Sequence, residues 1–371
     1  MQEILDCKGA DMPNKTITMK SKRGLQMQLI GPFGALILAL LLGAALIQLT
    51  GHDSGAAYSA MLQGAFGSKS AIGETIIKMI PLIFTGLSFA LANRCGLINI
   101  GAEGQLYVGG LCAVAVALYV PGLPIYLHLP LAIIAGFIGG GIWGMIAGIL
   151  KVRFGANEMI TTIMLNYVGN YLINYMVSIV MIDPVDNLQQ TARMPATAQL
   201  PILIGGTRVH LGIIIALVCI FVYYVFLWKM RSGYETRVVG LNAEAARYAG
   251  INDKKKTVLA MFMAGGFAGL AGMSEILGVQ IRMYQNFSPG YGFDGIAVAL
   301  LGANTPIGIL LSSLLFGALR AGSNLMQMTA QVPAAMIYII QSMVIMFVVG
   351  SQFIPQLQKR MKIRHEAKGD Q

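Results

Sequence analysis

The sequence predicts an all-α, polytopic membrane protein. Of its 371 residues, 56% are hydrophobic and only 11% are charged, whereas about a quarter of the residues in a soluble domain are charged. Apolar runs of helical length also recur along almost the whole chain, separated by short polar blocks. Both observations indicate that the solvent of this fold is lipid.

A spanning helix needs about 20 mainly apolar residues. Eight runs meet this requirement: 32–49, 72–92, 105–120, 129–150, 159–182, 211–228, 258–279 and 332–354. Two shorter runs, 293–303 and 307–319, flank Asn304-Thr305-Pro306. At 1.5 Å per residue each is only about 16–20 Å long, which predicts either two short tilted spans or one re-entrant hairpin. The total is about ten membrane segments.

The distribution of positive charge predicts the orientation of the chain. With the N-terminus inside, 20 of the 26 Lys and Arg residues fall on the cytoplasmic side. This agrees with the excess of positive charge that cytoplasmic loops of membrane proteins carry. This divides the chain into a basic cytoplasmic segment (1–29), a transmembrane domain (30–355) with a cytoplasmic loop (229–257), and a basic cytoplasmic tail (356–371). We expect a multi-pass protein of the cell (plasma or inner) membrane with both termini cytoplasmic. The net charge of +10 comes without a nucleic-acid motif, so no nucleic-acid partner is expected.

Catalytic and metal motifs are not found in the sequence. The four cysteines form no CxxC pair, and the four histidines have no acidic partner at motif spacing. Residues 64–70 (GAFGSKS) resemble a phosphate loop, but the spacing fails and the segment is predicted to be external. We expect no metal, no directly bound cofactor and no ATPase site in this chain.

Glycines recur at strict four-residue spacing in the fourth apolar run, at Gly136, Gly140, Gly144 and Gly148. Helical geometry places all four on one face, where another helix can approach closely. These residues are predicted to serve helix packing rather than ligand binding.

Polar residues within apolar runs are costly in a bilayer unless they face a partner or a polar cavity. Three glycines and Asn99 interrupt segment 96–105, which also carries Glu103, and this predicts unwound backbone at a cavity. Glu74 and Lys78, four residues apart, are predicted to form a local ion pair or to lie at the interface. The same reasoning gives a predicted translocation pathway made of Asn99, Glu103, Asn157, Glu158, Asn166, Asp294 and Asn304.

Two of these residues, Glu158 and Asn166, also have alternative interpretations. Glu158 at a helix start can simply favour the helix dipole. Asn166 begins a stripe with Asn170 and Asn174, which favours a hydrated path over interhelical contacts alone. Because the proposed lining contains amides and few cations, the solute is expected to be neutral and hydrogen-bonding.

The largest cytoplasmic loop contains a short predicted helix. Asn242 can cap it, residues 243–248 are good helix formers, and Gly250 can end it. Such a helix suits docking into a cleft of another protein, and the alternative is an ordinary solvated linker. The set beginning at 72 and the set beginning at 258 each contain four membrane segments and an interrupted stretch, which is compatible with inverted repeats.

Segments 96–105, 157–167, 240–251 and 290–308 together resemble the permease subunits of ABC importers for nucleosides and simple sugars, a family related to ribose and branched-chain amino-acid permeases. Segment 292–308 resembles the nucleoside branch more than the sugar branch. The resemblance implies a second homologous permease in a heterodimer, a cytoplasmic ATPase that binds ATP and Mg, and an extracytoplasmic substrate-binding lipoprotein.

In this family pattern the coupling loop corresponds to Gly240, Leu241, Asn242, Ala245, Ala246, Tyr248, Ala249 and Gly250. The expected function is nucleoside translocation driven by the separate ATPase. Import of simple sugars and ion-coupled secondary transport are the alternatives.

Overall fold

The structure is a computed structural model that describes residues 20–184, 188–333, 335–336, 338–347 and 350. The start of the predicted N-terminal segment (1–19), the end of the last predicted span and the predicted tail (356–371) lie outside these residues. Within them the fold is a bundle of helices joined by turns and three isolated β-bridges.

The helices follow one another in the order that the sequence predicts, with two additions, at Ser54–Phe66 and Arg231–Leu241. They are α1 Lys20–Leu49, α2 Ser54–Phe66, α3 Lys69–Arg94, α4 Ala102–Tyr119, α5 Ile125–Phe154, α6 Glu158–Tyr175, α7 Gly212–Lys229, α8 Arg231–Leu241, α9 Ala243–Tyr248, α10 Asp253–Glu275, α11 Tyr291–Leu301, α12 Pro306–Ala330 and α13 Tyr338–Phe347. Helices α6 and α10 each continue into a π-helical turn, at Met176–Val180 and Ile276–Gln280.

Seven helices in the described part of the chain are long and apolar enough to cross a membrane, and three further apolar helices are shorter. The shorter ones are Ile37–Leu49 within α1, α11 and α13. These ten elements correspond to the ten predicted segments, so the all-α polytopic class is confirmed.

Three elements differ from the sequence prediction, and one of them is α8, which is helical in a stretch predicted only as loop. Helix α2 occupies a stretch predicted to be an external loop, and its last turn includes the start of the phosphate-loop-like segment. Its N-terminus is capped by Asp53, whose carboxylate accepts from the Gly55 amide at 2.8 Å. The prediction that 307–319 is too short to cross was wrong, because α12 continues through Arg320 to Ala330 over 25 residues, about 37 Å.

The centre of the bundle is the meeting of α4, α5 and α10. A Cβ atom at Gly140 of α5 would overlap the Gly265 carbonyl and the Gly269 Cα of α10, and one at Gly109 of α4 would overlap Gly269 as well. Elsewhere on α5, a Cβ atom at Gly136 would contact Met273 of α10, and Cβ atoms at Gly144 and Gly148 would contact Met261. The glycines therefore allow three backbones to approach more closely than any side chain permits.

Candidate functional site

Five helices each place one charged side chain inside the bundle, which we call the buried charge cluster: Lys78 on α3, Glu103 on α4, Glu275 on α10, Asp294 on α11 and Arg320 on α12. Glu103 and Glu275 are almost fully buried. The cations Lys78 and Arg320 attract the carboxylate of Glu275, whereas the carboxylates of Glu103 and Asp294 repel each other. Charges in a membrane interior are costly and mark functional pathways.

The first turn of α11 contacts Glu103 of α4. The Gly292 amide donates to Glu103 Oε2 at 2.6 Å, and a Cβ atom on Gly292 would collide with Glu103. Gly290, in the left-handed region at φ 90°, turns the chain into α11. Glu103 therefore binds the N-terminal end of α11, where the helix dipole favours a negative charge.

Arg320 is the most heavily bonded member. Its guanidinium forms an ion pair with Asp294 at 2.6 Å, donates to the Pro289 carbonyl at 3.1 Å, and lies 4.7 Å from the centre of the Tyr291 ring. Gln280 donates to Glu275 Oε1 at 3.1 Å and to the Phe287 carbonyl at 3.0 Å. The π-helical turn at the end of α10 thus positions the amide that satisfies Glu275.

A polar cavity of about 200 Å³ adjoins the cluster between α3, α12 and α13. The Nε2 atom of Gln341 is buried without a hydrogen-bond partner in the described part of the chain. The cavity is lined by Lys78, Pro289, Arg320, Ser323, Asn324, Gln327, Tyr338 and Gln341. A half-open space lined by three amides, two hydroxyls and two cations can hold a small polar solute or water.

The structure places the predicted pathway residues in several locations. Only Glu103 and Asp294 join the buried charge cluster. Asn99 and Gln105 exchange two side-chain hydrogen bonds, at 3.0 and 3.1 Å, and Asn99 also accepts from the Gly101 amide at 3.0 Å. Asn166 accepts from the Gly104 amide at 2.8 Å. These amides brace the non-helical backbone before α4, and their part in the pathway stays a prediction.

The other three predicted pathway residues lie nearer the helix ends. Asn157 caps α6 through its bonds from the Met159 and Ile160 amides, and Glu158 forms an ion pair with Lys151 at 2.6 Å. Asn304 donates to Asn93 Oδ1 at 2.9 Å, and its own carbonyl accepts from Arg94 and Tyr223.

Three cluster members were not predicted as pathway residues, namely Lys78, Glu275 and Arg320. Of the two interpretations of Glu74 and Lys78, the local ion pair was wrong, because Glu74 pairs with Arg208 at 2.7 Å; their position at the interface stays a prediction. Lys78 therefore stays available to the cavity. The position of Lys78 inside the apolar run 72–92 was the sequence signal for its place in the buried charge cluster. The residues that surround Lys78 come from distant parts of the chain, so sequence spacing could not predict them.

The α8–α9 segment forms an exposed corner of the bundle. The Asn242 side chain caps α9 through the Glu244 and Ala245 amides, and Gly250 takes φ 76° just after the helix. Leu241 is 88% exposed and Tyr248 95% exposed. Gly240 packs on the Arg94 carbonyl, where a Cβ atom has no room. This corner therefore joins the end of α3 to two protruding apolar side chains.

One residue of this segment faces the other way. Ala246 is completely buried and its carbonyl accepts from the Ile251 amide. The predicted coupling residues that are exposed around it include Leu241 at the end of α8, Ala245 and Tyr248 in α9, and Ala249 just after α9. Ala246 instead packs α9 against its own bundle, because a six-residue helix cannot expose every side.

Ion pairs hold this corner to α10. Glu235 of α8 binds Lys256 at 2.7 Å and Arg231 at 2.9 Å, and Arg247 of α9 binds Asp253 at 2.6 Å. Hydrogen bonds from Lys256 and then from Arg231 hold the pKa of Glu235 below its ordinary value. These pairs attach α8 and α9 to the start of α10.

A bundle of about ten membrane segments with charged side chains in its interior is typical of membrane transport proteins. Residues 71–349 match the family of the branched-chain amino acid transport system, permease component, and the chain belongs to this family.

Several curated relatives resemble the chain over most of its length. It is 41% identical over 340 residues to the guanosine ABC transporter permease protein NupP of Bacillus subtilis, covering 90% of this chain and 97% of that protein. It is 36% identical to the nucleoside permease NupB of Lactococcus lactis, covering 85% and 89%. It is 34% identical to the glucose permease TsgB13 of Haloferax volcanii, covering 91% of each. No solved structure matches the chain.

Proposed function

We propose that this chain is the permease subunit of an ATP-driven importer of nucleosides. The observation that carries the proposal is the 41% identity with a guanosine permease over nine-tenths of the chain. The buried charge cluster and its cavity support it, because they supply polar groups across five helices of a membrane bundle. The solute is a neutral nucleoside, with Arg320 already paired with Asp294.

Energy comes from a separate cytoplasmic ATPase that binds ATP and Mg. Leu241 and Tyr248 dock on that subunit, since both protrude from a capped corner fixed to α3 and α10. A second, homologous permease completes the membrane unit as a heterodimer, and an extracytoplasmic lipoprotein delivers the solute. Both termini and the α8–α9 corner are cytoplasmic in the cell membrane.

The mechanism is alternating access. Closure of the ATPase displaces α9, and the displacement changes the relative energies of two arrangements of the bundle. Closure can shift the permease only through contacts that differ between those arrangements. The ion pairs from Glu235 to Lys256 and from Arg247 to Asp253 are the contacts through which α9 acts on α10.

Two experiments test the proposal. The detergent-solubilised protein should co-purify with an ATPase subunit, and gradient-driven transport by this chain alone would contradict the ABC assignment. Uptake of labelled guanosine and ribose should then be compared in cells with and without the gene. Loss of guanosine uptake on deletion supports the proposal.

Simple-sugar import is the second candidate, since a glucose permease is 34% identical over 91% of the chain. An amide- and hydroxyl-lined cavity would satisfy sugar hydroxyls equally well. Loss of ribose uptake with guanosine uptake unchanged would select this function and leave the permease assignment intact.

A further inference from the structure

Helix α6 presents two chemically different faces. Its packed face consists of Thr162, Asn166, Gly169 and Ile173, and the first three lie against the start of α4. Because Gly169 lies on the Gly104 backbone and Asn166 bonds to the Gly104 amide, the rotation of α6 about its axis is fixed. The opposite face is therefore defined as well.

That opposite face carries a stripe of aromatic rings. Tyr167, Tyr171 and Tyr175 follow at four-residue spacing, which places them one above the other on a helix. All three are exposed, with Tyr171 at 72%. In the described part of the chain, none of the three hydroxyls has a hydrogen bond or another resolved partner.

The depth of the stripe argues against a lipid-facing role. Glu158–Val180 forms one candidate span, and Tyr171 lies 13 residues after Glu158, roughly 20 Å along a span of about 35 Å. Tyrosines that contact lipid collect at the membrane interfaces, where the hydroxyl reaches water. A tyrosine hydroxyl near the middle of the hydrocarbon layer would have no partner, which is unfavourable.

Unsatisfied amides flank the same stripe. The Oδ1 atoms of Asn170 and Asn174 are buried without a hydrogen-bond partner in the described residues. On the helix both residues lie between the packed face and the tyrosines. A purely apolar covering of this side would leave these acceptors and the hydroxyls unpaired.

We propose that the tyrosine stripe of α6 is a stacking track for the nucleobase, with Tyr171 as its central residue. The proposal rests on the proposed function and names the solute group that the path recognises. Flat aromatic rings stack on tyrosine with little dependence on base identity, so the track accepts purine and pyrimidine nucleosides. A sugar has no aromatic ring to stack. The stripe therefore selects nucleosides over sugars of similar hydrogen-bonding capacity.

Direct contact is tested by placing the photoreactive residue p-benzoylphenylalanine at position 171 of the complete transporter. Illumination during turnover with radiolabelled guanosine should attach the label to this chain. The same residue at position 126, an even more exposed tyrosine at the start of α5, serves as the matched control and should capture no guanosine. Cross-linking of position 171 to the second permease or only to lipid would overturn the proposal.

Transport by side-chain variants gives a second measurement. Tyr171→Leu should lower guanosine uptake at sub-saturating solute about five-fold or more, the size expected for loss of one stacking contact. Tyr171→Phe keeps the ring and should stay within about two-fold of the wild type, as should Tyr126→Leu. Unchanged uptake in Tyr171→Leu, or a complex that falls apart, would overturn the stacking role. No nucleoside uptake by the wild-type complex would instead contradict the proposed function.

Discussion

Asp294 of α11 and Arg320 of α12 form an ion pair inside the membrane bundle, with 2.6 Å between Asp294 Oδ2 and Arg320 Nη2. The pair joins the short helix to the long one that follows it. Because the guanidinium also binds the Pro289 carbonyl, it fixes the irregular segment before α11. This one cation thus holds together the part of the fold that positions Glu103.

Removal of this cation should destabilise the bundle. Arg320→Ala leaves Asp294 buried and unpaired, for which we expect a loss of roughly 3–5 kcal/mol. The measurement is thermal unfolding of the detergent-solubilised complex. Arg208→Ala is the matched control, because it breaks the far more exposed pair with Glu74 and should cost about 0–1 kcal/mol. Equal effects of the two variants would contradict a structural role for the buried pair.

The glycine contact between α5 and α10 should tolerate no side chain. Gly140→Ala places a Cβ atom against the backbone of Gly265 and Gly269, so we expect about 1–3 kcal/mol of destabilisation. Gly34→Ala in α1 is the control, since its Cβ atom would meet nothing within 4 Å. The same thermal unfolding measurement applies, and a stable Gly140→Ala protein would show that α5 and α10 are farther apart.

Tyr248 should act in coupling without supporting the bundle. Tyr248→Ala removes a fully protruding ring, so binding of the ATPase should weaken about ten-fold or more while the melting temperature of this chain stays unchanged. Affinity co-purification and solute-stimulated ATPase activity measure the effect. Ala246→Asp should instead lower the melting temperature, because it puts a charge at a buried position. Normal coupling in Tyr248→Ala would exclude α9 as the docking element.

The ion pairs of Glu235 predict a pH dependence. Its pKa is lowered by Lys256 and Arg231, so the stabilisation is present above the unfolded pKa of about 4.3 and is lost as the pH falls through the lower folded pKa. The wild type should therefore melt above Glu235→Gln at neutral pH, and the difference should vanish toward acidic pH. A difference that does not shrink as the pH is lowered would contradict the assignment.

The orientation of the chain can be measured by cysteine accessibility. In a background lacking the native cysteines, Gln189→Cys should react with a membrane-impermeant maleimide added to intact cells. Glu244→Cys in α9 should react only after the cells are opened, because the α8–α9 corner is expected inside. Reaction of Glu244→Cys in intact cells would reverse the proposed orientation.

Sequence alone predicted the number and order of the membrane segments well, because the length and apolar content of a span are properties of consecutive residues. The cap at Asn242 and the αL turn at Gly250 were also predictable, since both are local. Helix α2 was missed because its 13 residues mix serine, alanine and glutamine with apolar side chains. The length of α12 was underestimated because Arg320 ended the apolar run, although the ion pair with Asp294 satisfies it.

The buried charge cluster could be predicted only in part. Glu103 and Asp294 stood beside glycine-interrupted segments, which is a local signal. Lys78, Glu275 and Arg320 join them through contacts between helices far apart in the sequence. Those contacts depend on the depth and rotation of each helix in the bundle, and neither quantity is encoded in composition or spacing.

The close meeting of α4, α5 and α10 has a mechanical consequence. With backbone touching backbone at Gly109, Gly140 and Gly269, any sliding of one helix would open voids or force collisions. We therefore expect these three helices to behave as one stiff lever. One end of α10, at Asp253, lies beside α9, and its other end carries Glu275 about 33 Å away. We therefore expect a small displacement of α9 to move a buried charged group at the far end of the bundle.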